Sequence, residues 1–92
     1  MVRAFVLYEG DVDEERYRQH FEKFVRPIDA TFRHGKVFGA AMGEPRFRYY
    51  AEFEFSDMDS FKKVAGSPEF AASGKDAMAM GVPFTVHFAE IG

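Results

Sequence analysis

The chain has 92 residues, enough for a single domain over residues 1–92 and too few for two. Hydrophobic residues make up 47% of it and Phe alone supplies 12, so it can bury a core and is not disordered. Twelve basic and 15 acidic side chains are interspersed and give a net charge of −3, which argues against nucleic-acid and anionic membrane partners. The absence of Cys excludes disulfides, thiolate metal sites and a Cys nucleophile.

The first third of the chain predicts a strand followed by a helix. Val2 to Tyr8 is a short apolar run with one charge, as in a central strand, and no basic leader or apolar signal segment precedes it. We therefore expect a cytoplasmic protein. From Asp13 to about Ala30 apolar residues recur at helical spacing, with Asp11 or Asp13 available as the N-cap and Pro27 near the end. The apolar positions are Tyr17, Phe21, Phe24, Val25 and Ile28.

The middle of the chain predicts a hairpin. Lys36 to Met42 is the first strand and Gly43-Glu44-Pro45 the turn, which makes His34 a loop residue. Arg46 to Phe55 is the second strand, and its residues alternate strictly between two faces. One face carries Phe47, Tyr49, Ala51, Phe53 and Phe55, and the other carries Arg46, Arg48, Tyr50, Glu52 and Glu54.

The last part predicts two short helices and a strand. The capping sequence Ser56-Asp57-Met58-Asp59 begins a helix that Gly66 ends. Ser67-Pro68 begins another, and Phe84 to Ala89 is the final strand. The order is that of a ferredoxin-like βαββαβ fold of the α+β class, with a four-stranded antiparallel sheet and helices on one face. We expect the uncovered face to be an interaction surface. Its residues are Phe5, Leu7, Arg48, Tyr50, Glu52, Thr85, His87 and Ala89.

These residues resemble the EthD domain proteins of the dimeric α+β barrel superfamily over nearly the whole chain. The matching features are Leu7-Tyr8, the aromatic helix leading to Pro27-Ile28, Glu52-Phe53-Glu54-Phe55 before Ser56, and Ser67-Pro68-Glu69. The resemblance implies a homodimer whose two sheets face each other, with a small organic molecule in a pocket of each subunit. Relatives in the wider superfamily include monooxygenases and isomerases that need no cofactor, and the EthD proteins themselves are associated with degradation pathways without a settled reaction. That family usually has a His two residues before the helical Pro, where this chain has Val25.

Two His residues are candidate catalytic bases. His87 alternates with the apolar residues of the last strand and can act as a base in a cleft, or can be a hydrogen-bonded interface residue. His20 lies at the edge of the apolar stripe of the first helix, one turn before Val25. It can reach the pocket from above, or it can have only a packing role.

The candidate ligand-binding residues are three phenols and a charged pair. Tyr8, Tyr17 and Tyr50 can each bring a hydroxyl to an apolar cavity, although such residues are often core. Arg48 and Glu52 share a strand face, where they can hold a hydroxylated or anionic ligand or pair across a subunit interface.

No residue pattern predicts a metal ion or a cofactor. The three His residues, at 20, 34 and 87, have no metal-ligand spacing, and the Gly35 to Gly43 segment lacks phosphate-binding spacing. RNA-recognition modules share this element order, but Phe47 and Arg48 stand where those modules have Gly and a stacking ring. We therefore predict no nucleic-acid partner. Two functions remain: a cofactor-independent oxygenase or isomerase of a degradation pathway, and a non-catalytic ligand-binding or accessory protein.

Overall fold

A four-stranded antiparallel sheet with helices on one face is the frame of the protein, as seen in a computed structural model that describes residues 1–92. The strand order is β2-β3-β1-β4. The predicted ferredoxin-like fold is confirmed, and β1 has the central place that its apolar run predicted. In chain order the elements are β1 (Val2–Tyr8), α1 (Glu14–His20), a π-helical segment (Phe21–Val25), β2 (Thr31–Lys36), β3 (Tyr49–Phe55), α2 (Met58–Ala65), α3 (Pro68–Ala79) and β4 (Phe84–Glu90).

Each α-helix begins at a capping side chain. Asp13, Asp57 and Ser67 each accept a hydrogen bond from the backbone N–H three residues further on, at 2.8, 2.8 and 3.2 Å. These bonds satisfy amide groups that the first helical turn leaves without a partner. The cap of α2 is therefore Asp57, one residue later than a capping box headed by Ser56 would place it.

The first helix is shorter than its apolar spacing predicts. Its last turn widens, since the Arg26 N–H donates to the Phe21 carbonyl at 2.9 Å, five residues back. Pro27 has no N–H to continue the ladder, so the helical structure ends at Val25 and the prediction of a helix to about Ala30 was wrong.

The second strand lies earlier than predicted. β2 is Thr31–Lys36 and not Lys36 to Met42, so His34 is a strand residue. Phe32 and His34 face the helices and contact the Phe21 ring at 5.0 and 4.9 Å between ring centroids. Residues 37–42 make no comparable contact, since their largest side chains, Phe38 and Met42, are exposed.

The third strand begins three residues later than predicted. β3 starts at Tyr49, so Arg46, Phe47 and Arg48 precede it and residues 37–48 form a long connection. The predicted hairpin is present as the antiparallel β2–β3 pair, but Gly43-Glu44-Pro45 is not a tight turn between its strands.

The core lies between the sheet and the helices. Within β3 the predicted alternation is confirmed: Tyr49, Ala51, Phe53 and Phe55 are buried there, while Tyr50, Glu52 and Glu54 lie on the other face. Two buried clusters form the core, one of Val2, Ala4, Val25, Ile28, Phe53, Phe55 and Val64, and one of Tyr8, Tyr17, Tyr49 and Ala51.

No helix has the length and apolar character needed to cross a membrane.

Candidate functional site

A cavity of about 60 Å³ lies between the sheet and the helices. Thirteen residues line it and ten of them are hydrophobic, so its walls favour an apolar molecule. Residues from β1, β3, β4, α1, the π-helical segment and α3 all contribute. The lining consists of Val6, Tyr8, Tyr17, His20, Val25, Ala51, Phe53, Phe70, Ser73, Gly74, Ala77, Phe84 and Val86.

His20 is a buried imidazole held by a carboxylate. It is the last residue of α1 and is 4% exposed. Its Nδ1 lies 2.8 Å from Oδ2 of Asp76, which comes from α3. Arg16, one helical turn before His20, donates to both Asp76 oxygens at 2.9 and 3.1 Å. Because residues four apart share a helix face, Arg16 and His20 reach the same carboxylate.

The electrostatics of this group fix which imidazole nitrogen is the base. The hydrogen bonds from Arg16 hold the pKa of Asp76 below its ordinary value, and the hydrogen bond from His20 adds to this. Asp76 is therefore ionised at neutral pH and accepts a hydrogen bond from Nδ1–H of His20. The lone pair of the neutral ring is then on Nε2, which has no hydrogen-bond partner in the protein.

Two buried phenols share the cavity with His20. Tyr8 is 1% exposed and Tyr17 is 3% exposed, and their rings make an edge-to-face contact at 6.1 Å between centroids. The Tyr17 ring is 5.5 Å from the His20 ring. Burial raises the pKa of Tyr8 to about 12 and also raises that of Tyr17, so both hydroxyls stay protonated. Neither hydroxyl has a hydrogen-bond partner in the protein, although buried Tyr hydroxyls usually have one.

The structure therefore brings together three of the seven sequence-predicted site residues: Tyr8, Tyr17 and His20. The other four do not line the cavity. Tyr50, Glu52 and His87 lie on the opposite, uncovered face of the sheet, and Arg48 lies in the connection before β3. In the single chain the enclosed space is on the helix side, so these four residues remain candidates only for the uncovered face.

Glu52 forms ion pairs with two Arg residues of its own chain. Its carboxylate lies 3.4 Å from Arg3 and 3.5 Å from Arg33, while Arg48 is exposed and forms no ion pair. Glu52 is 7% exposed, yet Oε2 and the Arg3 Nε are buried without a hydrogen bond of good geometry. Burial, with the neighbouring Glu52 carboxylate, raises the pKa of Tyr50 to about 12. These residues form a charged network and not an open binding pocket.

His87 is exposed on β4 and Nε2 lies 3.2 Å from the Thr85 hydroxyl. It lies opposite Phe5 in the strand register, with the sheet between it and the cavity. His87 and His20 therefore cannot act on one molecule in this cavity.

Asp76 and Arg16 were not predicted from the sequence. Arg16 and His20 stand four residues apart, and that spacing was an available signal. Nothing local marks Asp76, since it is one acidic residue in a helix with a weak apolar stripe. Val25, where the resemblance predicts a His, does line the cavity, so that position faces the site with an apolar side chain.

Known proteins that match this chain were found by comparison of structures and not by comparison of sequences. No protein-family model and no curated protein matches the chain. Its fold matches an ethyl tert-butyl ether D (EthD) family protein from Bacillus halodurans with a TM-score of 0.78 and 27% identity, covering 100% of this chain and 99% of the other.

The resemblance to the EthD family is confirmed.

Two further structures share the fold of this EthD-like protein at lower identity. A dimeric ferredoxin-like protein of unknown function from Jannaschia has a TM-score of 0.73 and 17% identity, with 98% of each chain covered. The hydroxynitrile lyase of Passiflora edulis has a TM-score of 0.74 and 17% identity, covering 99% of this chain and 93% of the lyase. The fold therefore accommodates at least one enzyme.

Proposed function

We propose that this EthD-like protein binds a small apolar or aromatic organic molecule in the cavity and removes a proton from it without a cofactor. One observation carries the proposal: the buried imidazole of His20 lines an apolar cavity, an ionised carboxylate holds it at Nδ1, and Nε2 has no hydrogen-bond partner in the protein. General bases in enzymes are built in this way.

The protein's own groups supply the chemistry of a proton transfer next to a carbonyl. Nε2 of His20 takes the proton from the carbon, and the electron pair of the broken C–H bond moves onto the carbonyl oxygen as an enolate. The hydroxyls of Tyr8 and Tyr17 are protonated and unpartnered, and they can donate to that oxygen as negative charge develops. The apolar walls exclude water and strengthen these interactions.

Two reactions can follow this common step. In an isomerisation, protonated His20 returns the proton to another carbon of the enolate. In an oxygenation, dioxygen is the co-reactant and takes electrons from the enolate. We favour isomerisation, because it needs only groups that the cavity holds.

The test is hydrogen–deuterium exchange at carbon, which does not require the natural substrate. Small cyclic ketones, such as cyclopentanone and cyclohexanone, are incubated with the protein in D₂O, and NMR follows the loss of the protons next to the carbonyl. We expect His20→Ala to lower the protein-catalysed exchange rate by about 10²-fold or more. His87→Ala is the matched control, because it removes an imidazole from the other face, and it leaves the rate unchanged. Equal rates for the parent protein and His20→Ala would refute the catalytic proposal.

The alternative is a ligand-binding or accessory protein that catalyses nothing. Val25 favours it, because an apolar side chain stands where the EthD resemblance predicts a second imidazole. Binding of the ketones without any exchange at carbon selects this alternative.

We also propose a homodimer that is held together through the uncovered sheet face. That face carries Phe5, Leu7 and Tyr50 around buried polar atoms of Arg3 and Glu52 that lack good hydrogen bonds. Similar structures, including the one from Jannaschia, are described as dimeric. Light scattering in dilute buffer should give twice the 10.5 kDa chain mass. A mass of one chain at micromolar concentration contradicts the dimer and leaves the cavity proposal intact.

A further inference from the structure

Gly74 is a glycine inside α3 that the backbone does not require. It lies in the middle of Pro68–Ala79, and its φ is not in the left-handed region that favours glycine. Glycine inside a helix is less stable than alanine. A Cβ atom added at Gly74 would meet nothing within 4 Å, so no neighbouring atom excludes a side chain there. Backbone conformation and close packing therefore leave this glycine unexplained.

The space beside Gly74 is the cavity. Phe70, Ser73, Gly74 and Ala77 have the spacing of one helix face, and all four line the cavity. Across it, Phe84 and Val86 of β4 form the wall. This wall reaches the surface, since Val86 is 40% exposed. Gly74 therefore lies on the α3 side of the cavity, and β4 lies on another side of it.

We propose that Gly74 determines the size of the molecule that the cavity admits. Its missing side chain leaves room for ligand atoms between α3 and β4, at a cost in helix stability. The inference rests on the proposed binding function and identifies the specificity-determining position of the same site.

The cavity volume indicates the size of that molecule. About 10–15 Å³ of such volume holds one water-sized group, so about 60 Å³ holds roughly four to six of them. An engineered cavity that binds benzene is larger, about 150 Å³, so a single six-membered ring is the upper limit for this cavity and two fused rings exceed it. A methyl group at residue 74 takes part of the space and a Leu side chain takes most of it.

The experiment compares Gly74→Ala and Gly74→Leu with Ala71→Leu. Ala71 is exposed on α3 and does not line the cavity, so Ala71→Leu controls for a larger side chain on the same helix. The probes are phenol and 2-naphthol, with binding followed by NMR titration of backbone amides. We expect the parent protein to bind phenol more tightly than 2-naphthol. Gly74→Ala should weaken phenol binding by about tenfold, Gly74→Leu should abolish it, and Ala71→Leu should leave it unchanged.

A second readout does not depend on any ligand. Gly74→Ala should raise the thermal unfolding midpoint by about 3–6 °C, because a helix former replaces glycine without a clash. A lower midpoint for Gly74→Ala overturns the inference, since glycine would then be needed for packing. Equal phenol affinity for the parent protein and Gly74→Leu also overturns it. If the parent protein binds neither probe, the proposed function itself is overturned.

Discussion

The two faces of the sheet differ in the partners that their polar side chains have. On the helix side, Tyr8, Tyr17 and His20 line an apolar cavity, and the two hydroxyls and Nε2 of His20 have no hydrogen-bond partner in the protein. On the uncovered side, Glu52 and Glu54 form ion pairs with arginines of neighbouring strands, although Arg3 Nε and Glu52 Oε2 are buried without a hydrogen bond of good geometry. Unpartnered polar groups beside a cavity suit the binding and conversion of a small molecule. A paired network on an open face suits contact with another protein surface.

The same strands supply both faces, so the contrast follows from the pleat. In β3, Ala51 and Phe53 face the helices and line the cavity, while Tyr50 and Glu52 face outward. A one-residue shift of register would exchange the two sets. Chemistry on one face and assembly on the other are therefore specified by a single alternating pattern.

The largest difference between the faces is expected in stability. Phe53→Ala removes a ring that is 7% exposed and should lower the free energy of unfolding by about 3–5 kcal/mol. Phe5→Ala removes a half-buried ring from the uncovered face and should cost about 1 kcal/mol in the isolated chain. Urea unfolding of the two variants measures the change in the free energy of unfolding for each. Equal costs at a concentration where the protein is monomeric would show that the outer face is also core.

The next largest effect is expected on catalysis. Asp76→Asn removes the ionised acceptor that fixes the His20 tautomer and should lower the carbon exchange rate about 100-fold, or about 2.7 kcal/mol in the barrier. NMR exchange measurements in D₂O give this rate. Circular dichroism serves as the folding control.

Arg16→Gln tests whether Asp76 positions the His20 imidazole or only holds α1 and α3 together. It leaves the Asp76–His20 contact but removes the main cause of the low Asp76 pKa. We therefore expect a smaller loss of rate, with the acid limb of the pH–rate profile moved to higher pH. If Asp76 only holds α1 and α3 together, both variants unfold more easily but the pH profile of the folded protein does not move.

Most of the fold follows from local patterns. The alternation in β3, the apolar run of β1 and the capping residues Asp57 and Ser67 depend on near neighbours in the chain. The bounds of β2 do not follow from near neighbours in the chain. Thr31–Lys36 pairs with β3 because Phe32 and His34 pack on the helix layer, and that contact depends on tertiary structure.

The site is less accessible to sequence reasoning for a similar reason. Tyr8, Tyr17 and His20 can be named as candidates from residue type and spacing. Asp76 comes from a helix 56 residues further along the chain, and only the packing of α3 against the first helical region brings its carboxylate to His20. No local pattern distinguishes this carboxylate from the other acidic side chains.

A substitution at the centre of the uncovered face tests its role in assembly. Leu7 lies between Tyr50 and Thr85 in the strand register. Leu7→Asp places a carboxylate there and should raise the dimer dissociation constant by about 10- to 100-fold, because burial of an unpaired charge is unfavourable. Sedimentation equilibrium gives the constant. Phenol binding is the control and should not change, since Leu7 does not line the cavity.

The smallest effect should come from His34, at the edge of the helix side. Burial lowers the pKa of its imidazole, and its Nδ1 lies 2.7 Å from the Tyr49 hydroxyl. The folded protein therefore takes up this proton less readily than the unfolded chain, whose His pKa is about 6.5. The resulting stability is present above about pH 6.5 and is lost as the pH falls through the lower folded-state pKa. His34→Gln cannot titrate, so its urea unfolding free energy should fall less between pH 7 and pH 5 than that of the parent protein. Parallel pH dependences would mean that the His34 imidazole is as solvated in the folded protein as in the unfolded chain. The region from which water is excluded would then include Tyr17 but not His34.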